Sequence, residues 1–404
     1  MENNSRSRDG LFSISEEDVQ GHIFREKDLL TISHLPEESR IIGRDEQIAQ
    51  LAEEIEPVII GYEPNSALIY GKTGCGKSLV AKYVAQLAEE EAEERGYNLA
   101  YGICDCSQSS KEASVIQTIA DSMNTPTTGI SVPSRGISTD EYYKRLWEIL
   151  DEAYDGGIII LDEIDHLKSD DVLMVLSRAN ESEKIDVPLA IIGISNKIDY
   201  RNRLSERVKS SFSHREFIFD PYDSTQLEAI LRNRNDAFQE GVLKDEVVPY
   251  CAALAAKKHG DARKAMNLLK FAGEYAKRKE KDEVSKEDVD AAEKDAEAER
   301  LLSLISGLSP HVKYVLKALA NLTKNNKENW FRTSRIVDTY EKVCEKEGVD
   351  VLSLSGVRDC LNEVAFLSVI EGNRETGGRG VGNYKEWRLL TDADTVIRME
   401  KLST

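Results

Sequence analysis

No apolar run in the 404-residue sequence approaches the roughly 20 residues that cross a bilayer, and the opening residues are polar and charged. A membrane helix and a secretory signal are therefore not expected, and the cytoplasm is the expected compartment. Cysteine is scarce: Cys75, Cys104, Cys106, Cys251, Cys344 and Cys360 form no CxxC pair. That spacing argues against a zinc ribbon or a disulfide framework, and the six read as reduced thiols. Proline is scarce too, at 9 residues against 25 glycines. With 40% hydrophobic residues, the composition fits neither a collagen-like nor a wholly disordered chain. Positive charge is also short. Lysine and arginine number 53 against 73 aspartates and glutamates, a net of −20, which argues against bulk attraction to nucleic acid and admits adaptation to high salt. The deficit is uneven: residues 301–404 hold 15 basic and 14 acidic side chains, net +1, so the first 300 carry −21.

At roughly 100–200 residues per domain, the length accommodates two to three domains. Residues 1 to about 40, punctuated by Asp9-Gly10 and Pro36, read as a poorly ordered start and an extended lead-in. From there helical and strand patterns alternate. Arg44 to Glu56 and Ser78 to Glu94 have helical spacing, and short apolar runs at 67–70, 99–104, 157–161, 189–194 and 217–219 read as strands. Strands separated by helices imply an α/β fold whose parallel sheet is covered on both faces. Pro221 ends this region, and residues 221–300 look helical, with Ser285 and Asp288 resembling a capping box and a charged connector beyond. Residues 301–404 then give helices near His311–Leu322, Thr333–Glu347 and Ser355–Phe366, a glycine-rich loop and a final apolar strand, the order of a winged helix-turn-helix. The expected domains are 1–40, 41–220, 221–300 and 301–404.

Between the first strand and the helix at 78–94 runs Gly71-Lys72-Thr73-Gly74-Cys75-Gly76-Lys77-Ser78, a complete phosphate-binding loop in the structural context it requires. Its glycines let backbone N–H groups close on phosphate oxygens. The helix N-terminus adds positive potential, Lys77 a cation, and Ser78 a hydroxyl for Mg²⁺. Asp162-Glu163 follow the apolar strand, where Asp162 can hold the metal and Glu163 can act as general base; Asp165 reads as a local cap or pair. Nucleotide hydrolysis further needs a γ-phosphate sensor and a cation for the developing charge. Asn196, just after the fourth strand, is placed to position water. Arg263, opening a helix of the expected lid, can reach the nucleotide or lie on a solvated face. Arg207, in a loop or short helix, either faces a neighbouring protomer or is a solvated surface arginine.

Together with Gly43-Arg44-Asp45-Glu46-Gln47-Ile48, Gly61-Tyr62-Glu63-Pro64-Asn65 and Ile69-Tyr70 before the loop, this pattern resembles the AAA+ ATPases. Within them it is similar to the archaeal replication initiators, relatives of the largest origin recognition complex subunit and of the cell-division-cycle helicase loader. The resemblance implies an AAA+ base, a helical lid and a C-terminal winged helix, with ATP/ADP and Mg²⁺ as cofactors. It implies that Tyr222 packs near the base and that Arg234, in a helix Thr225 to Phe238, approaches the phosphates. It also implies that the segment from Ser110 to Ile137, with Val132-Pro133 and Gly136, is an insertion that touches DNA.

In a winged helix-turn-helix the recognition helix enters the major groove and the wing reaches the backbone. Here these would present Arg358 on the helix, and Arg374, Arg379 and Lys385 on a wing interspersed with glycines. The expected function is a DNA replication initiator that binds double-stranded origin DNA, helps recruit or load the replicative helicase, and uses slow ATP hydrolysis as a switch. Paralogous initiators are possible partners, membranes are not, and the location is cytoplasmic and nucleoid-associated. The alternative is a signalling or transcriptional ATPase whose winged helix contacts protein.

Overall fold

The computed structural model describes residues 21–31, 41–211, 214–376 and 383–399. The chain divides into two compact units, Met1–Asp290 and Ala291–Thr404.

The first unit is built on a parallel sheet of β1 (Ser66–Gly71), β2 (Leu99–Asp105), β3 (Gly156–Asp162), β4 (Leu189–Ser195) and β5 (His214–Phe219), in the order β2-β3-β4-β1-β5. Because side chains alternate across a strand, Ala67 and Ile69 enter one apolar layer while Leu68 and Tyr70 enter the other. The first layer is shared with α1 (Asp45–Ile55) and α2 (Lys77–Glu94). The second is shared with α3 (Glu112–Met123), α4 (Thr139–Ala153) and α5 (Asp171–Ser177). Burial on both faces explains the unbroken run Ile158 to Leu161, all of it fully buried. Two short helices, α6 (Tyr200–Arg203) and α7 (Glu206–Ser211), lie between β4 and β5.

This order has a direct consequence at the carboxyl ends of the strands. β4 lies between β3 and β1, so whatever follows β4 stands between the acidic pair ending β3 and the loop leaving β1; β5 flanks β1 on its other side.

The rest of this unit is helical: α8 (Ser224–Arg232), α9 (Val247–Lys257), α10 (Ala262–Arg278) and the start of α11 (Lys286–Ser306). Asp223 and Gln226 form a reciprocal capping box that starts α8. At α11, Asp288 accepts from the Ser285 amide and hydroxyl, each at 2.9 Å. Two local expectations change here. The helix expected to reach Phe238 stops at Arg232, and Asn235–Ala237 form a separate 3₁₀ turn. The lead-in is also less loose than its polarity suggests. Ile23, Phe24 and Leu30 are fully buried, the Phe24 and Phe238 ring centroids stand 5.0 Å apart, and the Arg25 amide donates to Ala237 at 2.9 Å.

In the second unit, α12 (Pro310–Asn325), β6 (Phe331–Arg332), α13 (Thr333–Glu347) and α14 (Leu354–Phe366) precede a hairpin of β7 (Ile370–Thr376) and β8 (Asn383–Leu389). A last helix, α15 (Ala393–Met399), follows. The antiparallel sheet runs β6-β8-β7. Tyr340, Phe331 and Trp387 are buried at its core, and the Trp387 indole donates to Thr333 Oγ1 at 3.0 Å, pinning β8 to the start of α13.

Candidate nucleotide site and winged-helix surface

The loop leaving β1 turns through left-handed backbone at Gly74 (φ 79°) and Gly76 (φ 89°) before α2 begins at Lys77. These φ values suit glycine, and the surroundings allow nothing larger. A Cβ on Gly74 would collide with the Asp261 carboxylate, and one on Gly76 would stand 2.5 Å from the Tyr222 hydroxyl. The turn therefore has the tight, glycine-only form of a phosphate cradle, closed by the N-terminus of an 18-residue helix.

Lys77 is only 5% exposed. Its ammonium donates to the carbonyls of Gly71 and Lys72, both at 2.8 Å, and to Asn196 Oδ1 at 2.9 Å. Burial pushes this amine below the ordinary lysine value; Cys75 and Asp162 oppose the shift and the positive charge of Arg263 adds to it. Arg263, in the first turn of α10, is thus close enough to act electrostatically on the loop.

Asn196 follows β4 and faces both neighbours, as the strand order requires. Its carbonyl accepts from Lys77 and its amide donates to Glu163 Oε1 at 3.1 Å. One side chain therefore spans from the cation of the loop to the carboxylate expected to act as base. Asp165 holds this bridge in place, accepting from Ser195 Oγ at 3.0 Å, from the Asn196 amide at 3.3 Å and from Lys197 at 3.1 Å. Burial alone would raise its pKa, but these contacts outweigh burial and hold the carboxyl below the usual range. Glu163 has left-handed backbone (φ 55°), uncommon for a residue with a side chain, and its own amide donates to Asp162 Oδ1 at 2.9 Å. Strained backbone of this kind persists where the surroundings over-determine it.

The remaining sequence candidates fall less centrally. Tyr222 is buried beside the loop, stacked on Arg44 at 4.0 Å from its ring centroid, and burial raises its pKa against the pull of that arginine. Arg234 lies beyond the end of α8, buried, with a guanidinium nitrogen on the Ile230 carbonyl at 3.0 Å. Arg207 is exposed on α7. The 110–137 segment contains α3 and a loop whose Pro133 carbonyl accepts from Tyr142 at 2.9 Å.

Two side chains at this site were not singled out from sequence. Asp261 caps α10 through the Arg263 and Lys264 amides, and the Ala262 amide donates to the Gly74 carbonyl at 3.1 Å, joining lid to loop. Arg44 lies against the loop on the other side. The only sequence signal for Arg44 was the Gly43-Arg44 wording, which gave it no task.

In the second unit, Arg358 is exposed on α14 and Arg374 is exposed on β7. Arg374 pairs directly with Lys385 across the hairpin. Lys385 is not a free-standing wing cation: its ammonium donates to Asn362 of α14 at 3.0 Å and lies 3.9 Å from the Trp387 ring centroid. Burial and Arg374 push its pKa down. Arg379 lies outside the described residues. Among the described residues no helix is long and apolar enough to cross a membrane.

Comparison with known proteins follows the same division. Residues 61–199 match the model of an AAA domain, 228–294 that of a Cdc6 AAA+ ATPase-type lid domain, and 303–399 that of a CDC6 C-terminal winged helix domain. The chain is 54% identical over 393 residues to ORC1-type DNA replication protein 9 of Haloarcula marismortui, covering 97% of this chain and 94% of that protein. It is 46% identical over 378 residues to ORC1-type DNA replication protein 4 of Halobacterium salinarum, covering 93% and 92%. Among solved structures, the Aeropyrum pernix ORC1 protein in complex with DNA is similar over 94% of this chain and 96% of that one, at 32% identity and a TM-score of 0.71.

Proposed function

Because this chain belongs to the family of ORC1-type DNA replication proteins, we propose that it is a nucleotide-switched replication initiator that binds duplex origin DNA through its winged helix and helps recruit the replicative helicase. The observation that carries the nucleotide half is the Lys77–Asn196–Glu163 chain of hydrogen bonds. It joins Lys77 and Glu163 through the two ends of one amide, which supports reading the lysine as the phosphate-holding cation, the carboxylate as the water-activating base, and Asn196 as the residue that sets both grip and chemistry.

ATP fits this loop: a tight glycine turn, a helix N-terminus and a desolvated lysine are together the chemistry of an anion site. Mg²⁺ would be held by Ser78 and Asp162, a small protein contribution suited to an ion bound mainly by phosphate oxygens and water. When bound, it supplies charge neutralisation between the phosphates. Glu163, oriented by Asn196, takes the proton of the attacking water, and Arg263 supplies positive charge from the lid side. Arg207, exposed on α7, is assigned to a neighbouring protomer's site, and Tyr222 and Arg234 to the lid side of this one.

The DNA half is supported by the wing root. Arg374 and Lys385 are like charges directly opposite in an antiparallel pair, an arrangement that costs stability unless an anion lies nearby. A DNA phosphate would relieve it, with Arg358 on α14 free to meet base edges.

The test is incubation of the purified chain with pooled genomic fragments and ATP, at a fixed salt concentration because phosphate contacts weaken steeply with salt. Enrichment of a few fragments, diminished by Arg358→Ala, is the expected result. Uniform recovery of all fragments with ATP binding intact would transfer the assignment to a switch whose winged helix contacts protein.

A further inference from the structure

Arginine is almost never buried without partners, yet Arg44 is 4% exposed. What surrounds its guanidinium is carbonyl oxygen and aromatic face, drawn from three separate parts of the first unit. Nε donates to the Cys75 carbonyl of the phosphate loop at 3.0 Å. A terminal nitrogen donates to the Asp220 carbonyl, one residue beyond β5, at 2.6 Å. The guanidinium carbon stands 4.0 Å from the centroid of Tyr222, the third residue after that strand end and the last before the α8 capping box. Loop, sheet edge and lid entrance therefore meet on one planar group.

A second set of contacts closes this path on itself. The Tyr222 amide donates to the Gly260 carbonyl at 3.1 Å, Asp261 packs on Gly74, and the Ala262 amide donates to the Gly74 carbonyl at 3.1 Å. Two residues past Asp261 is Arg263, whose charge acts on Lys77. Contacts therefore run without a break from the Cys75 carbonyl to the start of α8 through Arg44 and Tyr222, and on to the start of α10 through Gly260.

We propose that Arg44 is a positioning residue that couples the phosphate loop to the helical lid, so that loading of the loop sets the lid's position. The proposal rests on the reading that the loop binds ATP. It requires arginine specifically. A guanidinium offers donors in two directions and a flat face for stacking, whereas a lysine in its place offers one point charge and no plane.

The experiment uses the full chain, with Arg44→Lys and Tyr222→Leu as variants. A fluorescent ATP analogue is titrated against each, and amide hydrogen exchange is followed across 222–234 and 261–278 with and without ATP. In the wild type, ATP is expected to slow exchange in both segments. In folded Arg44→Lys, affinity is expected to fall about 10-fold, with loss of most of the ATP-dependent slowing; Tyr222→Leu should follow it and decides the matter if Arg44→Lys does not fold. A role confined to stability would lower the melting temperature and leave the ATP-dependent difference intact, and that result overturns the proposal. So does a wild type that binds ATP with no change in lid exchange. A wild type that binds no ATP would instead sink the nucleotide reading itself.

Discussion

The nucleotide site and the winged-helix surface handle charge in opposite ways. In the first unit the working groups are buried or half-buried and engaged with one another: Lys77 with Asn196, Asn196 with Glu163 and Asp165, Arg44 with the loop carbonyl. In the second, cations stand on the surface or lean on rings, as Arg332 does on Tyr384 at 3.9 Å and Lys385 on Trp387 at 3.9 Å. The difference follows from the ligands the two surfaces address. A nucleotide is a small anion that must be desolvated and aligned, which only fixed, mutually supporting groups achieve. Duplex DNA is a long polyanion whose phosphates reward cations held anywhere along its backbone.

From this contrast, single changes in the first unit should act steeply and those in the second gradually. The steepest should be Glu163→Gln, which keeps the Asn196 contact and removes the base. ATP hydrolysis should fall by about 10²–10³-fold in single-turnover assays while nucleotide affinity changes little. Next comes Lys77→Ala, for which a fluorescent nucleotide titration should read a loss of about 100-fold in affinity, since a buried charge-assisted contact is removed. On the other surface, Arg374→Ala should weaken DNA binding only several-fold and reduce the salt dependence by about one phosphate contact. A loss there as large as that of Lys77→Ala would erase the contrast.

The smallest expected effect is a pH dependence. Because the folded-state pKa of Lys77 lies below the ordinary lysine value, the amine loses its charge at a pH where an exposed lysine keeps it. Nucleotide affinity should therefore decline as pH rises through that value, with proton uptake on binding, read as a buffer-dependent binding enthalpy. Between the folded and the ordinary value the unfolded chain binds more protons, so folding stability rises with pH over the same window. In Lys77→Ala both trends should vanish.

Much of the nucleotide site was legible in sequence because its chemistry is tied to local order: a strand, a glycine turn, a helix, and an acidic pair after another strand. The parallel sheet was equally legible from its apolar runs. What escaped depends on contacts distant in sequence. Arg44 works through Cys75, Asp220 and Tyr222, none of which its own surroundings announce. The helix expected to carry Arg234 stops early, and Phe238 beyond it pairs with Phe24 of the lead-in, a partner no local periodicity reveals. Backbone bonds from Arg25 to Ala237 and from Gln239 to Ile23 dock the same segment there, and although it is polar on average it buries Ile23, Phe24 and Leu30. At the wing, counting basic residues treated Lys385 like Arg374. Lys385 shares a face with Arg374, but its ammonium is held by Asn362 and the Trp387 ring, where it joins the hairpin to α14.

Asn196 tests the account most directly, since a single amide is held to join phosphate grip to water activation. Nucleotide affinity and single-turnover hydrolysis should be measured side by side on Asn196→Ala. The account predicts that both fall together, affinity by about 10-fold as Lys77 loses its partner and hydrolysis by about 100-fold, the scale of a misplaced general base. Hydrolysis at the wild-type rate would contradict it.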